Sequence, residues 1–212
     1  MTKLRMSWPN RITLTRILLI APYVIAILHM NDPAFRPFAR YVALAIFVVM
    51  AVSDALDGYL ARQLNAETAI GRFLDPLADK LLIITTVILL AAESTGVPGM
   101  LLPDIVVVII IAKDLYTVIG FIVIYLITSK LLIEPARVGK ISTTLQLSMV
   151  VAILISPDVM KLLPAFRYIV AALWGATAAA AVLTTIAYTR DGARFVNAWE
   201  QQQKQDKTPP QP

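Results

Sequence analysis

Cysteine is absent from this 212-residue chain, and histidine occurs once, at His29. Without cysteine there can be neither disulfides nor thiolate metal sites, so any bound ion must rest on oxygen donors. Charge is also scarce. Asp, Glu, Lys and Arg make up 16% of the residues against 58% hydrophobic, and the mean hydropathy is +0.72. A soluble domain carries about a quarter charged residues around a single core, so that class is excluded. No short apolar stretch with an A-x-A-like cleavage site precedes the first apolar run, so a cleavable signal peptide is not expected.

What the chain has instead is apolar runs near the length that crosses a bilayer. Six can be marked, over residues 12–30, 41–60, 73–92, 105–128, 141–155 and 168–188. Breakers separate them: Asn31-Asp32-Pro33, Gly96-Val97-Pro98-Gly99, Glu134-Pro135, Pro157 and Pro164. The expected fold is all-α, a polytopic membrane protein of about six transmembrane helices in one domain over 1–199. A polar, Gln- and Pro-containing tail over 200–212 is expected to be disordered.

Orientation follows from the cations. Fourteen Lys and Arg fall in segments on the N-terminal side of the membrane and four on the other (Arg36, Arg40, Lys161 and Arg167), with Lys113 inside the fourth run. The positive-inside rule then puts both termini in the cytoplasm. The net charge of +5 resides mainly in these short connecting segments, which suits anionic headgroups and gives no reason to expect nucleic acid.

The chemistry is concentrated in residues 53–80, SDALDGYLARQLNAETAIGRFLDPLADK. Asp54 and Asp57 are three apart at the end of the second run; Asp75 and Asp79 are four apart at the start of the third. Each spacing puts its pair on one helix face, and a short connection lets the two pairs converge. Four carboxylates at a membrane edge repel one another unless cations offset them. All-oxygen donors select a hard ion such as Mg²⁺, whose common task is to clamp a diphosphate. Gly58 and Ala61, being small, allow a substrate or helix to approach the backbone closely. Interhelical ion pairing or capping is the bland alternative for these aspartates.

The pattern D-x2-D-G-x2-A-R-x8-G-x3-D-x3-D is filled at every fixed position, by Asp54, Asp57, Gly58, Ala61, Arg62, Gly71, Asp75 and Asp79. In this the chain resembles the CDP-alcohol phosphotransferases (CDP-alcohol phosphatidyltransferases). Pro9, Asn10, Thr13 and Arg16 resemble that family's P-N-x-x-T-x-x-R segment, and FLDPLADK is similar to the subset that makes phosphatidylglycerophosphate or cardiolipin. The resemblance implies an enzyme that moves a phosphatidyl group from CDP-diacylglycerol to an alcohol and releases CMP. It implies Asp54, Asp57, Asp75 and Asp79 as ligands of Mg²⁺ or Mn²⁺, two ions in all, with Asp79 also the general base. It implies Gly58, Ala61, Arg62, Gly71 and Thr13 along the CDP-lipid. A homodimer in a bacterial inner (cell) membrane, with its site on the cytoplasmic side, is the matching expectation.

The acceptor stays open between glycerol 3-phosphate and phosphatidylglycerol. Lys113, Arg137 and Lys140 are the candidates for binding it, although Lys113 and Asp114 could instead form an ion pair. The glycerol 3-phosphate subset usually carries a further arginine after the acidic residue of the fourth span, and Gly-Lys-x-Lys-Thr before the fifth. Here residues 116–129 hold no basic residue, and Ser142 stands at the second lysine of that pattern. More remote readings are a prenyl-diphosphate transferase or a transporter. The first expects carboxylates on two helix pairs, the second expects them at both membrane faces.

Overall fold

The computed structural model describes residues 8–64, 69–128 and 137–206. They form six helices: α1 (Trp8–Leu28), α2 (Arg36–Leu64), α3 (Ala69–Ala91), α4 (Asp104–Thr128), α5 (Arg137–Leu162) and α6 (Phe166–Asp206). No strand occurs among the described residues. Each helix covers most or all of one apolar run, so the all-α expectation holds. Three stretches are long and apolar enough to cross a membrane: Asp104–Thr128, Val138–Leu162 and Phe166–Gln202. Leu14–Leu28 and Lys80–Ala91 are shorter apolar stretches.

Helix α1 packs on α2 and α3, α5 on α6, and α4 on α6, with α3 also touching α4 and α5. Tyr23, Phe47, Ile83, Leu90, Ile110, Met149 and Ile153 are fully buried between them. Large apolar side chains also cover the outside: Leu18 is 67% exposed, Ile105 66% and Leu126 73%. In water so much exposed apolar surface would drive association; in hydrocarbon it is the matched surface.

Several polar groups inside the bundle are hydrogen-bonded. Thr86 Oγ1 donates to the Leu82 carbonyl at 2.7 Å and meets the Tyr23 hydroxyl at 2.9 Å. At one end of the bundle, Asn31 Nδ2 donates to the carbonyls of Ser94 (3.1 Å) and Gly96 (2.9 Å), tying the α1–α2 turn to the α3–α4 turn. Gly96 is needed there. A Cβ at that position would lie 2.7 Å from the Leu90 carbonyl oxygen and 2.9 Å from that of Ala92. Gly99, at φ +79°, takes the left-handed conformation that closes the same turn.

Two expectations change. Pro157 marks a break in the sequence, yet α5 continues through it to Leu162. Proline has no N–H for the Ile153 carbonyl, but Ser156 Oγ donates to that oxygen at 2.7 Å. Arg40, from α2, reinforces the same region, donating to the Leu154 carbonyl at 2.8 Å and to Asp158 Oδ2 at 2.7 Å. Helix α6, in turn, runs to Asp206, so residues 200–206 of the polar tail are helical. Glu, Gln and Lys are good helix formers, and extending an existing helix needs no new nucleus. Residues 207–212 lie outside the described residues.

Candidate active site

The signature residues divide between two helices. Asp54, Asp57, Gly58, Ala61 and Arg62 lie on the C-terminal part of α2; Gly71, Asp75 and Asp79 lie on the first half of α3. The backbone therefore carries both aspartate pairs on successive helices, as their spacing requires. Thr13 lies on α1, Lys113 on α4, and Arg137 and Lys140 at the start of α5. The described side chains include those of Asp54, Lys113 and Lys140. Those of Thr13, Asp57, Gly58, Ala61, Arg62, Gly71, Asp75, Asp79 and Arg137 lie outside the described residues.

Asp54 is the aspartate whose contacts are defined. Its Oδ1 accepts a hydrogen bond of 2.5 Å from Arg16 Nη1 of α1. The Arg16 side chain is 2% exposed and that of Asp54 44%, so the cation is buried behind a carboxylate that faces outward. This charge-assisted bond fixes the direction of the carboxylate and leaves its second oxygen able to coordinate an ion. A divalent cation fits this donor set. The four aspartates supply hard oxygens at helical spacing, and one of them is already oriented from behind.

A second charged cluster joins α3, α4 and α5. Asp114 is fully buried, with Oδ1 2.6 Å from Lys80 Nζ and 2.7 Å from Lys113 Nζ. Lys113 Nζ donates to Gln146 Oε1 at 3.3 Å. Of the candidate acceptor-binding residues, Lys113 is thus drawn into an interior ion pair, whereas Lys140 is exposed on α5. Gly139, next to it, packs against the α6 residue Tyr188, whose hydroxyl oxygen would lie 2.6 Å from a Cβ at that position.

The pairings of Arg16, Lys80 and Gln146 were not expected from sequence, although Arg16 fills the last position of the P-N-x-x-T-x-x-R segment. Their pairings span 38, 34 and 33 residues, so no local pattern exposes them. The available signal was energetic: a cation inside or beside an apolar run needs a partner.

Residues 6–187 match the sequence pattern of a family described as CDP-alcohol phosphatidyltransferase. The chain belongs to this family. Phosphatidyltransferases of this family are generally divalent-metal dependent, in keeping with the all-oxygen donor set. Membership displaces the transporter and prenyl-diphosphate transferase readings. Several relatives carry the name CDP-diacylglycerol–glycerol-3-phosphate 3-phosphatidyltransferase. The one from Bacillus subtilis (strain 168) is 35% identical over 174 residues, 78% of this chain and 85% of the relative. Those from Cereibacter sphaeroides and Rickettsia felis are 30% and 31% identical; the matches cover 67% and 66% of this chain, and 61% and 70% of those relatives. The family and the apolar helices together make the chain a membrane-bound, CDP-diacylglycerol-dependent phosphatidyltransferase.

Proposed function

We propose that this phosphatidyltransferase uses glycerol 3-phosphate as its acceptor, producing phosphatidylglycerophosphate and CMP. The supporting observation is the likeness to the Bacillus subtilis relative, which extends over 85% of that protein and bears this activity in its name. In the reaction an acceptor hydroxyl oxygen forms a bond to the lipid-side phosphorus of CDP-diacylglycerol. The bond from that phosphorus to the CMP oxygen breaks, and the hydroxyl proton passes to the Asp79 carboxylate. Asp54, Asp57, Asp75 and Asp79 would hold two ions, Mg²⁺ or Mn²⁺. When bound, these neutralise charge on the diphosphate and on the departing CMP. Gly58, Ala61 and Gly71 allow close approach of the CDP-lipid, with Arg62 and Thr13 beside it. Arg137 and Lys140 supply positive charge for the acceptor phosphate, together with Lys113, whose charge is shared with Asp114.

The protein on this reading is a homodimer of six-span subunits in a bacterial inner membrane. Both termini and the reaction site face the cytoplasm. The cationic bias toward the carboxylate end supports the orientation.

The test is CMP release in detergent–lipid micelles holding CDP-diacylglycerol and Mg²⁺, with glycerol 3-phosphate, phosphatidylglycerol and inositol phosphate compared as acceptors. Release that depends on glycerol 3-phosphate is the expected result. Release with phosphatidylglycerol alone would make the enzyme a cardiolipin synthase. That outcome would agree with the absence of basic residues over 116–129 and with Ser142 in α5.

The Arg16–Asp54 contact adds a prediction. Arg16→Gln removes the cation that orients Asp54, and outer-shell partners of this kind are worth roughly 10- to 100-fold. CDP-diacylglycerol affinity in the presence of Mg²⁺ should fall by about tenfold. Affinity equal to wild type would show that Asp54 is oriented without Arg16.

A further inference from the structure

Asp114 on α4 and Ser142 and Gln146 on α5 are fully buried. Among the described residues, Asp114 Oδ2, Gln146 Nε2 and Ser142 Oγ have no hydrogen-bond partner. The other oxygens of the two longer side chains are engaged: Asp114 Oδ1 meets Lys80 and Lys113, and Gln146 Oε1 accepts from Lys113. Lys113 thus brings Asp114 and Gln146 together, and Ser142 lies one turn before Gln146 on the same face of α5. Buried polar groups are costly to leave unpaired, and three in one cluster point to a polar ligand.

The three atoms form a specific set. A carboxylate oxygen accepts a hydrogen bond, whereas an amide N–H and a serine hydroxyl donate. The complement of one acceptor and two donors is an alcohol, since a hydroxyl donates once and accepts twice. The cluster also borders the proposed reaction. Lys80 directly follows Asp79, the proposed base, and Lys113 is a proposed ligand of the acceptor phosphate. In a glycerol phosphate, the carbon between the phosphate-bearing end and the attacking primary hydroxyl carries a secondary hydroxyl. That group takes no part in bond making.

We propose that Asp114, Gln146 and Ser142 bind the non-reacting secondary hydroxyl of the acceptor. The hydroxyl donates to Asp114 Oδ2 and accepts from Gln146 Nε2 and Ser142 Oγ. The proposal rests on the reading of the acceptor as a glycerol unit. Glycerol 3-phosphate and the headgroup of phosphatidylglycerol both carry this pair of adjacent hydroxyls. The cluster then selects vicinal diols, because an analogue without the secondary hydroxyl leaves buried groups unpaired.

The experiment compares glycerol 3-phosphate with 3-hydroxypropyl phosphate, which has the same chain, phosphate and primary hydroxyl but no secondary one. CMP release by the full-length protein is measured in micelles of CDP-diacylglycerol with Mg²⁺. The wild type should prefer glycerol 3-phosphate in kcat/KM by about tenfold to a hundredfold. Gln146→Leu, which keeps the bulk and removes the donor, should cut that preference by about tenfold. Ser142→Ala should cut it as well, and this small change provides the check should Gln146→Leu fail to fold. A role in packing alone, or in placing Lys113, would alter the use of both acceptors alike and leave their ratio unmoved. A wild type that uses both acceptors equally overturns the proposal, as do folded variants that keep the wild-type ratio. If only phosphatidylglycerol supports release, the glycerol 3-phosphate reading falls. The comparison is then phosphatidylglycerol against phosphatidyl-1,3-propanediol, where the same loss of preference in Gln146→Leu upholds the site and an unchanged ratio overturns it.

Discussion

Asp79→Asn is expected to lower CMP release by about 10²- to 10⁴-fold, the usual contribution of a general base. Asparagine keeps the size of aspartate and one oxygen able to touch an ion, but it cannot take a proton from the acceptor. CDP-diacylglycerol binding should therefore survive Asp79→Asn better than Asp54→Asn, because Asp54 contributes only to holding the donor. Measuring both quantities separates the roles. A loss of turnover with the donor still bound identifies the base. Turnover near wild type would sink the assignment, and equal loss of binding in both variants would make Asp79 a ligand only.

Chelation should have an effect at least as large. With EDTA in excess, CMP release should drop to background, because four carboxylates left without a cation repel both one another and the diphosphate. Mg²⁺ or Mn²⁺ should restore it. Ca²⁺, with its longer bonds and higher coordination number, should restore far less. Full activity in EDTA after dialysis would remove the metal from the reaction. The neutralising charge would then have to come from Arg62, Arg16 and the lysines.

Much of the architecture was legible because a bilayer accepts few backbone solutions. Runs of about 20 apolar residues became helices, and Asn31-Asp32-Pro33 and Gly96-Val97-Pro98-Gly99 became turns. Pro157 misled because its cost depends on whether the freed carbonyl finds another donor. That donor is Ser156, supported by Arg40 from more than a hundred residues earlier. The tail over 200–206 misled because composition describes a free segment, whereas this one continues a helix already formed. In the candidate site, spacing alone was enough to place each aspartate pair on one helix, since each pair is local to it. The partners of Asp54 and Asp114 could not. Arg16 and Lys80 reach them only once α1 lies on α2 and α3 lies on α4.

The length of α6 sets the profile of the molecule in its surroundings. At 1.5 Å per residue its 41 residues reach about 60 Å, twice the roughly 30 Å of hydrocarbon in a bilayer. A tilt of about 20° shortens that reach by only a few ångströms. Close to half of the helix therefore stands in headgroups or water. Its far end departs from the same end of the bundle as the start of α5, where Thr184 Oγ1 meets the Val138 carbonyl at 3.3 Å. A fluorophore or affinity tag placed after Asp206 would ride on this mast, clear of the lipid surface, and report on the protein without entering the bundle.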